Sequence, residues 1–307
     1  MQSFIPDTIL PTTVVGSYPG QPKRTLKSLF DPLHFAVEEA VSLQKKAGIT
    51  IISDGQVRGD MIGVFASKLP GIRGSDVSGR VMPPDQAITI KDTAYAARQH
   101  PYVKAIVTGP STIAYGLRLQ TRLYRNKDEL VPDIASALAV EAQGLSKTGA
   151  VMLQIDEPIL STGATDIDVA KKAVATIAES VSIPVCLHAC GNIAHIIDDL
   201  LAMPIDILDF EGCVNPENLA SFSGKELKDR SIGYGIVDSS SPVLEPADIV
   251  RHRLWKGIDI LGPERILPDP DCGLRMHTPE SAYAKLARLC GVVEEVRQEL
   301  GGAVKNL

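Results

Sequence analysis

Short apolar runs alternate with longer amphipathic stretches along this chain. The runs at 12–16, 50–53, 103–108, 151–155, 183–188, 206–210, 231–237 and 265–268 are mostly rich in Val and Ile and end in polar residues or glycine. Strands buried on both faces of a parallel sheet read this way. Between them the spacing of apolar positions predicts helices. The stretch 32–48 carries Phe35, Ala36, Leu43 and Ala47 and stops at Gly48, a residue suited to a left-handed C-cap. The stretch 132–149 repeats the pattern with Ala135, Leu138, Ala139, Ala142 and Leu145. Further helices are expected at 166–180, 192–201, 245–257 and 279–300. Pro246 and Pro279 are expected at first helical positions, where the missing N–H costs least.

Eight strand-like runs with helices between them describe an α/β chain folded as a (β/α)8 TIM barrel, which typically takes about 250 residues. Residues 1–307 then form one barrel domain. The connection 55–101 is too long for a simple turn and helix, and its middle, GIRGSDVSGRVMPP at 71–84, is rich in Gly, Ser and Pro. It reads as an extended excursion over one barrel face, a lid or a hairpin. A doubly wound two-domain fold is the alternative, but no G-x-G-x-x-G follows an early strand.

Composition narrows the class. Of 307 residues 44% are hydrophobic and 22% charged, close to the soluble average. The net charge of −6 offers no basic surplus to neutralise a phosphate backbone, so no nucleic acid partner is expected. Mean hydropathy is +0.07, and no stretch near twenty uninterrupted apolar residues predicts a membrane span. The opening MQSFIPDTIL lacks the basic start and apolar run of a secretory signal. Five scattered cysteines are too few for a disulfide scaffold, so a cytoplasmic, reduced protein is expected, in which clustered Cys and His suggest metal or catalysis.

In such a barrel the working residues lie at the C-terminal ends of the strands. His188 and Cys190 follow the fifth run. Residues two apart on a strand face the same side, about 6.5–7 Å apart, so both can converge on one ion. Glu211 and Cys272 arrive from the sixth and eighth runs. Imidazole, thiolate and carboxylate are ordinary zinc ligands, and two sulfurs favour zinc over magnesium. Cys213 is in phase with Glu211 and is a rival ligand that spacing does not exclude. Cys186 and Cys290 read as packing residues, Cys186 one layer below His188. Zinc with two thiolates and one carboxylate carries a formal charge of −1, a poor activator of water but suited to holding a substrate thiol as thiolate. Asp156 and Glu157 end the fourth run facing opposite ways, so one faces the site; it reads as a carboxylate that binds a substrate ammonium, with a helix N-terminal charge or a salt bridge as the alternative. Gly16 and Ser17 offer backbone N–H groups suited to a substrate carboxylate.

The segments VVGSYP at 14–19, SDGQVRGDM at 53–61, VTGPST at 107–112, LQIDEP at 153–158, LHACGN at 187–192, DFEGC at 209–213 and PDPDCGL at 268–274 occur in order across the chain. In them the chain resembles the catalytic C-terminal domain of the cobalamin-independent methionine synthase family. The resemblance implies a (β/α)8 barrel and His188, Cys190, Glu211 and Cys272 as the zinc ligands. It implies that Val15, Gly16 and Ser17 hold the carboxylate and amino group of homocysteine, and that Asp156 binds its ammonium. The position of Gln56 is usually glutamate in the family, contributing to the amino-group site.

Other departures fall on the donor side. GPSTIAYG at 109–116 lacks a tryptophan that packs on the folate, an acidic position falls near Thr162, and a histidine proposed as proton donor is replaced by Ser240 in VDSSSP at 237–242. Releasing an amine needs a proton donor, whereas breaking a methyl–cobalt bond does not. The expected reaction is therefore methyl transfer to zinc-bound homocysteine thiolate, forming methionine, from methylcobalamin or a methylated corrinoid protein. The alternatives are methyltetrahydrofolate as donor and a related zinc-dependent thiol alkyltransferase of the coenzyme M type. A non-catalytic barrel that stores zinc or homocysteine is the reading from another class.

Overall fold

The structure, a computed structural model, describes residues 6, 8–22 and 31–304. In chain order the elements are α1 (His34–Ala47), α2 (Gly63–Ala66), β1 (Ile72–Arg73), β2 (Asp76–Val77), α3 (Ile90–Gln99), β3 (Lys104–Thr108), α4 (Pro110–Gly116), β4 (Arg118–Leu119) and α5 (Val131–Leu145). They continue as β5 (Met152–Asp156), α6 (Ile167–Ala178), β6 (Val185–Ala189), α7 (Ile197–Leu201), β7 (Ile207–Phe210), α8 (Glu217–Ala220), β8 (Ser231–Val237), α9 (Ala247–Leu261), β9 (Ile266–Pro270) and α10 (Pro279–Val304). The main sheet has six strands in the order β3-β5-β6-β7-β8-β9. Every residue of β3, β5, β6, β7 and β9 is buried, as expected where helices cover a parallel sheet. Among the described residues no helix is long and apolar enough to cross a membrane.

The chain divides into two compact units, Met1–Val57 with Asp209–Leu307, and Arg58–Leu208. In the first unit the runs expected as strands at 12–16 and 50–53 make isolated bonds and no ladder strand. Thr13 N–H donates to Pro268 O at 2.9 Å and Ile51 N–H to Thr12 O at 2.9 Å. Side chains take the remaining groups. The Thr50 N–H donates to Thr12 Oγ1 at 3.0 Å and the Thr12 N–H to Thr50 Oγ1 at 3.2 Å. Gln44 brackets Ser53, donating to its carbonyl at 3.1 Å and accepting from its N–H at 2.9 Å. Hydroxyls and an amide thus satisfy groups that a ladder would otherwise pair.

Helix α1 stops where expected, at Gly48 with φ 90°, whose N–H bonds back to the last turn. Pro279 opens α10. Pro246 lies one residue earlier than expected, as an extended N-cap before α9. That helix also runs past Gly257 to Leu261, because Gly257 is a packing residue: a Cβ there would meet Tyr234 Cε1 at 2.6 Å. The helix expected at 192–201 is a 3₁₀ turn, Ala194–Ile196, leading into the short α7.

In the second unit β3, β5 and β6 pair in parallel, with Thr108 opposite Asp156 and Asp156 opposite His188. The excursion folds on this unit. β1 and β2 form an antiparallel hairpin, and β2 pairs in parallel with β4. The fully buried Glu141 of α5 accepts from Thr89 N at 2.8 Å, and Tyr124 Oη accepts from Val81 N at 2.9 Å while donating to Asp133 at 2.6 Å. These bonds hold both the hairpin's exit strand and the approach to α3.

Candidate metal centre

Strand β6 carries His188 near its end, 2% exposed. Cys190 follows at the strand mouth, with its Sγ 3.0 Å from His188 Nε2. Cys272 follows β9. His188 and Cys190 are candidate metal ligands of the second unit, and Cys272 of the first. An imidazole and thiols form a soft donor set of the kind zinc takes.

Glu211 lies in the first unit, just after β7. Its Oε2 accepts from Asn215 Nδ2 at 2.7 Å and its carbonyl from Asn218 Nδ2 at 2.9 Å. The rival Cys213 turns elsewhere: its thiol lies 3.6 Å from Gly235 O. Burial, then the nearby Asp271 carboxylate, push that thiol far above the ordinary range. Cys186 is buried one register step below His188, opposite Gln154, and Cys290 lies 3.9 Å from Thr12 Oγ1. Both are packing residues, as expected.

Asp271 is a residue sequence reasoning missed. Its carboxylate accepts from three successive backbone groups, Gly212 N (2.9 Å), Cys213 N (2.9 Å) and Val214 N (2.9 Å). It thereby ties the turn that carries Glu211 to the strand end that carries Cys272. Burial outweighs those bonds and pushes its carboxyl up to about 6. The only signal in the sequence was the second acidic residue of PDPDCGL.

The adjacent carboxylates of β5 part as alternation requires. Asp156, 6% exposed, accepts from Gln154 Nε2 at 2.7 Å and pairs in register with Thr108 and with His188. Glu157 turns to the start of α4, accepting from Ser111 N (2.8 Å), Thr112 N (2.8 Å) and Thr112 Oγ1 (2.7 Å). It serves as the anion at a helix N-terminus. Burial pushes its carboxyl up despite those bonds. Gly109 must lack a side chain, because a Cβ there would collide with the Glu157 carboxyl.

Val15, Gly16 and Ser17 line one cavity with Cys272, Gly273 and Leu274. Ser53 Oγ donates to Gly16 O at 2.8 Å, and Leu274 N to Ser17 O at 2.7 Å. Gly273 admits Ser17, whose Oγ occupies the space a Cβ would take. Gln56 has a left-handed backbone, φ 44°, fixed by its N–H on Asp54 Oδ1 at 2.9 Å and by the Arg275 guanidinium on its carbonyl. Thr162 is exposed at the end of a 3₁₀ turn. Ser240 is exposed, with its Oγ 2.6 Å from Asp238 Oδ1.

The family model described as cobalamin-independent synthase, catalytic domain, matches residues 10–295. The chain is 39% identical over 306 residues to a protein named methionine synthase from Methanothermobacter marburgensis, covering 92% of this chain and 99% of that one. It is 40% identical over 304 residues to a methionine synthase from Methanocaldococcus jannaschii, covering 91% and 96%. Among solved structures, a B12-independent methionine synthase from Shewanella sp. W3-18-1 in complex with selenomethionine aligns with a TM-score of 0.82 at 22% identity, over 96% of this chain and 100% of that one. A putative B12-independent methionine synthase from Listeria monocytogenes aligns at 0.76 and 18% identity, over 94% and 98%. These neighbours share the (β/α)8 barrel fold, which accounts for the two extended segments beside a six-stranded parallel sheet. By the match along nearly its whole length, this chain belongs to the cobalamin-independent methionine synthase family, as its catalytic domain.

Proposed function

We propose that this chain is a homocysteine S-methyltransferase that forms methionine, with zinc held at the ends of β6, β7 and β9 and methyltetrahydrofolate as the methyl donor. The observation that carries the reading is the candidate ligand set of one imidazole and two thiols, those of His188, Cys190 and Cys272. Relatives named methionine synthase support the amino acid acceptor, as does a fold neighbour solved with selenomethionine, the selenium form of the product.

The methylcorrinoid donor expected from the sequence, whether methylcobalamin or a corrinoid protein, is set aside. The matching family is described as cobalamin-independent and the solved neighbours as B12-independent. The expectation rested on the missing tryptophan in 109–116, the acidic position near Thr162 and Ser240 standing in place of an imidazole. A leaving amine can draw its proton from another group or from solvent and a folate can be bound by other contacts, so these replacements do not select the donor class.

His188, Cys190 and Cys272 would hold the ion, with Glu211 as the fourth ligand. Zinc bound there supplies a positive charge that lowers the pKa of a coordinating thiol, so that a thiolate is present at neutral pH. Asp156 accepts from the substrate ammonium, and Val15, Gly16, Ser17 and Gln56 orient the amino acid end. The bond formed joins sulfur to the methyl carbon. The bond broken joins that carbon to the donor nitrogen, which keeps the electron pair and takes up a proton as the amine leaves. The chain's own contribution is to hold acceptor and donor in line.

The test is to assay zinc-loaded protein with homocysteine and, side by side, methyltetrahydrofolate and methylcobalamin. Methionine from the folate, lost on chelation and restored by zinc, is the expected result. Methionine from methylcobalamin alone would overturn the donor, and none from either would overturn the activity.

A further inference from the structure

Lys104 is a lysine in the interior of the second unit, 1% exposed at the first position of β3. The reaction described above does not use it. Its Nζ donates to Gln154 Oε1 at 2.6 Å, and Gln154 Nε2 donates to Asp156 Oδ1 at 2.7 Å. The direction of this chain of bonds is dictated by chemistry. An ammonium only donates and an ionised carboxylate only accepts, so the amide between them must present its oxygen to Lys104 and its nitrogen to Asp156. The strand register stacks the three in order: Lys104 lies opposite Met152, Gln154 two residues further along β5 lies opposite Ile106, and Asp156 two further lies opposite Thr108. Burying an ammonium is unfavourable unless it is partnered. A cation kept in the interior, reaching a carboxylate through a single amide, is therefore a feature to be explained.

We propose that Lys104 and Gln154 are positioning residues that fix the Asp156 carboxylate for the acceptor's ammonium, and so make the chain select thiols that carry an amino group. The inference rests on the homocysteine reading above and adds the device behind its acceptor specificity. Lys104 fixes the Gln154 amide by its oxygen. The amide nitrogen occupies Oδ1 of Asp156 and sets the carboxylate plane against the face that also carries His188 in register.

The experiment compares two acceptors with the same methyl donor, homocysteine and 4-mercaptobutyrate, which keeps thiol and carboxylate but lacks the amino group. Lys104→Met is expected to raise the KM for homocysteine about tenfold, the effect of losing one hydrogen bond in a charged chain, with kcat within about twofold. Its kcat/KM for 4-mercaptobutyrate should stay within about twofold of the wild type. Gln154→Leu should act the same way, and the double variant should be no worse than the poorer single variant, because both break one chain. Gln154→Glu keeps the volume and a partner for Lys104 but turns an acceptor towards Asp156. It supplies the test if Lys104→Met does not fold, and its loss should also be confined to homocysteine. Equal losses with both thiols, or additive losses in the double variant, would overturn the positioning role. A wild type inactive on homocysteine with every donor would instead overturn the functional reading, and this inference with it.

Discussion

The turn after β6 and the loop after β8 use their polar groups in different ways. After β8 nearly every polar group is engaged in holding the loop. Asp238 N donates to Glu245 Oε2 at 2.7 Å, and the Asp238 carboxylate accepts from Ser240 N at 2.7 Å and from its hydroxyl. Lys285 Nζ bridges the carbonyls of Asp238 and Val243, each at 2.8 Å, and His277 Nε2 lies 2.7 Å from Ser239 O. After β6, Asn192 Oδ1 accepts from Ala194 N at 3.0 Å and holds the turn, while the His188 imidazole and the Cys190 thiol approach each other to 3.0 Å. The loop after β8 is held by carboxylate, ammonium and hydroxyl groups, whereas the turn after β6 brings two soft ligands together.

The largest expected effect separates these two regions directly. Cys190→Ala or Cys272→Ala should lower methyl transfer at least about a thousandfold, because the reacting sulfur loses its site in every turnover. Metal analysis of the same samples should show loss of bound zinc. Lys285→Met should lower stability by about 1–3 kcal/mol through two lost carbonyl contacts and leave kcat within about threefold. A comparable loss of activity in the Lys285 variant would erase the distinction.

The next effect concerns Asp271, which holds together the strand end and turn bearing Cys272 and Glu211. Asp271→Ala leaves three backbone N–H groups without their acceptor and should cost about 2–3 kcal/mol by chemical denaturation. Its pH dependence has a defined sign. Burial raises the folded carboxyl from 3.8 to about 6, so the folded state holds its proton to higher pH than the unfolded chain. The stability it contributes is full below about 4, declines as pH rises towards about 6, and levels off above that. Asp271→Asn should remove this slope. An unchanged slope would mean that other groups set it.

Much of the fold was legible because burial on both faces leaves short, largely apolar runs, as in KAIVT and VCLHA. The pairing of His188 with Cys190 was legible because soft ligands two apart on a strand have few other reasons to coincide. What was hidden lies in side chains that replace backbone. Gln44 takes the bonds of Ser53 and the threonines take those of their neighbours, so two strand-like runs carry strand composition without ladder pairing. Gly257 reads as a helix stop in sequence and is a seat for Tyr234 in space. Asp271 and Lys104 were invisible because their roles depend on partners 57 to 59 and 50 residues away.

A smaller effect divides Asp156 from Glu157, neighbours that a sequence cannot assign individually. Asp156→Asn keeps a hydrogen-bonding shape but removes the charge, and should raise the KM for homocysteine about tenfold with stability within about 0.5 kcal/mol. Glu157→Gln should do the reverse. It leaves one acceptor oxygen for the two N–H groups and the hydroxyl at the start of α4, which should cost about 1–2 kcal/mol. Its activity at saturating homocysteine should stay within about twofold. Loss of homocysteine affinity in the Glu157 variant would exchange the two roles.

The smallest effect returns to the loop after β8. Ser240 gives Asp238 two of the hydrogen bonds that, against the opposing effect of burial, hold its carboxyl below the usual range. Ser240→Ala keeps the backbone bond and removes the hydroxyl one, so the loss should be about 0.5–1 kcal/mol. With the folded carboxyl lowered, that stability is present above the ordinary carboxylate pKa and disappears as pH falls through the folded value. The variant should therefore match the wild type in strongly acidic solution and fall below it near neutrality, as read by thermal melts across pH. Its kcat with methyltetrahydrofolate should stay within about twofold. A large fall in kcat, with a matching change in the pH–rate profile, would instead make this hydroxyl part of the proton path to the leaving amine. The loop after β8 would then join the turn after β6 as a working region.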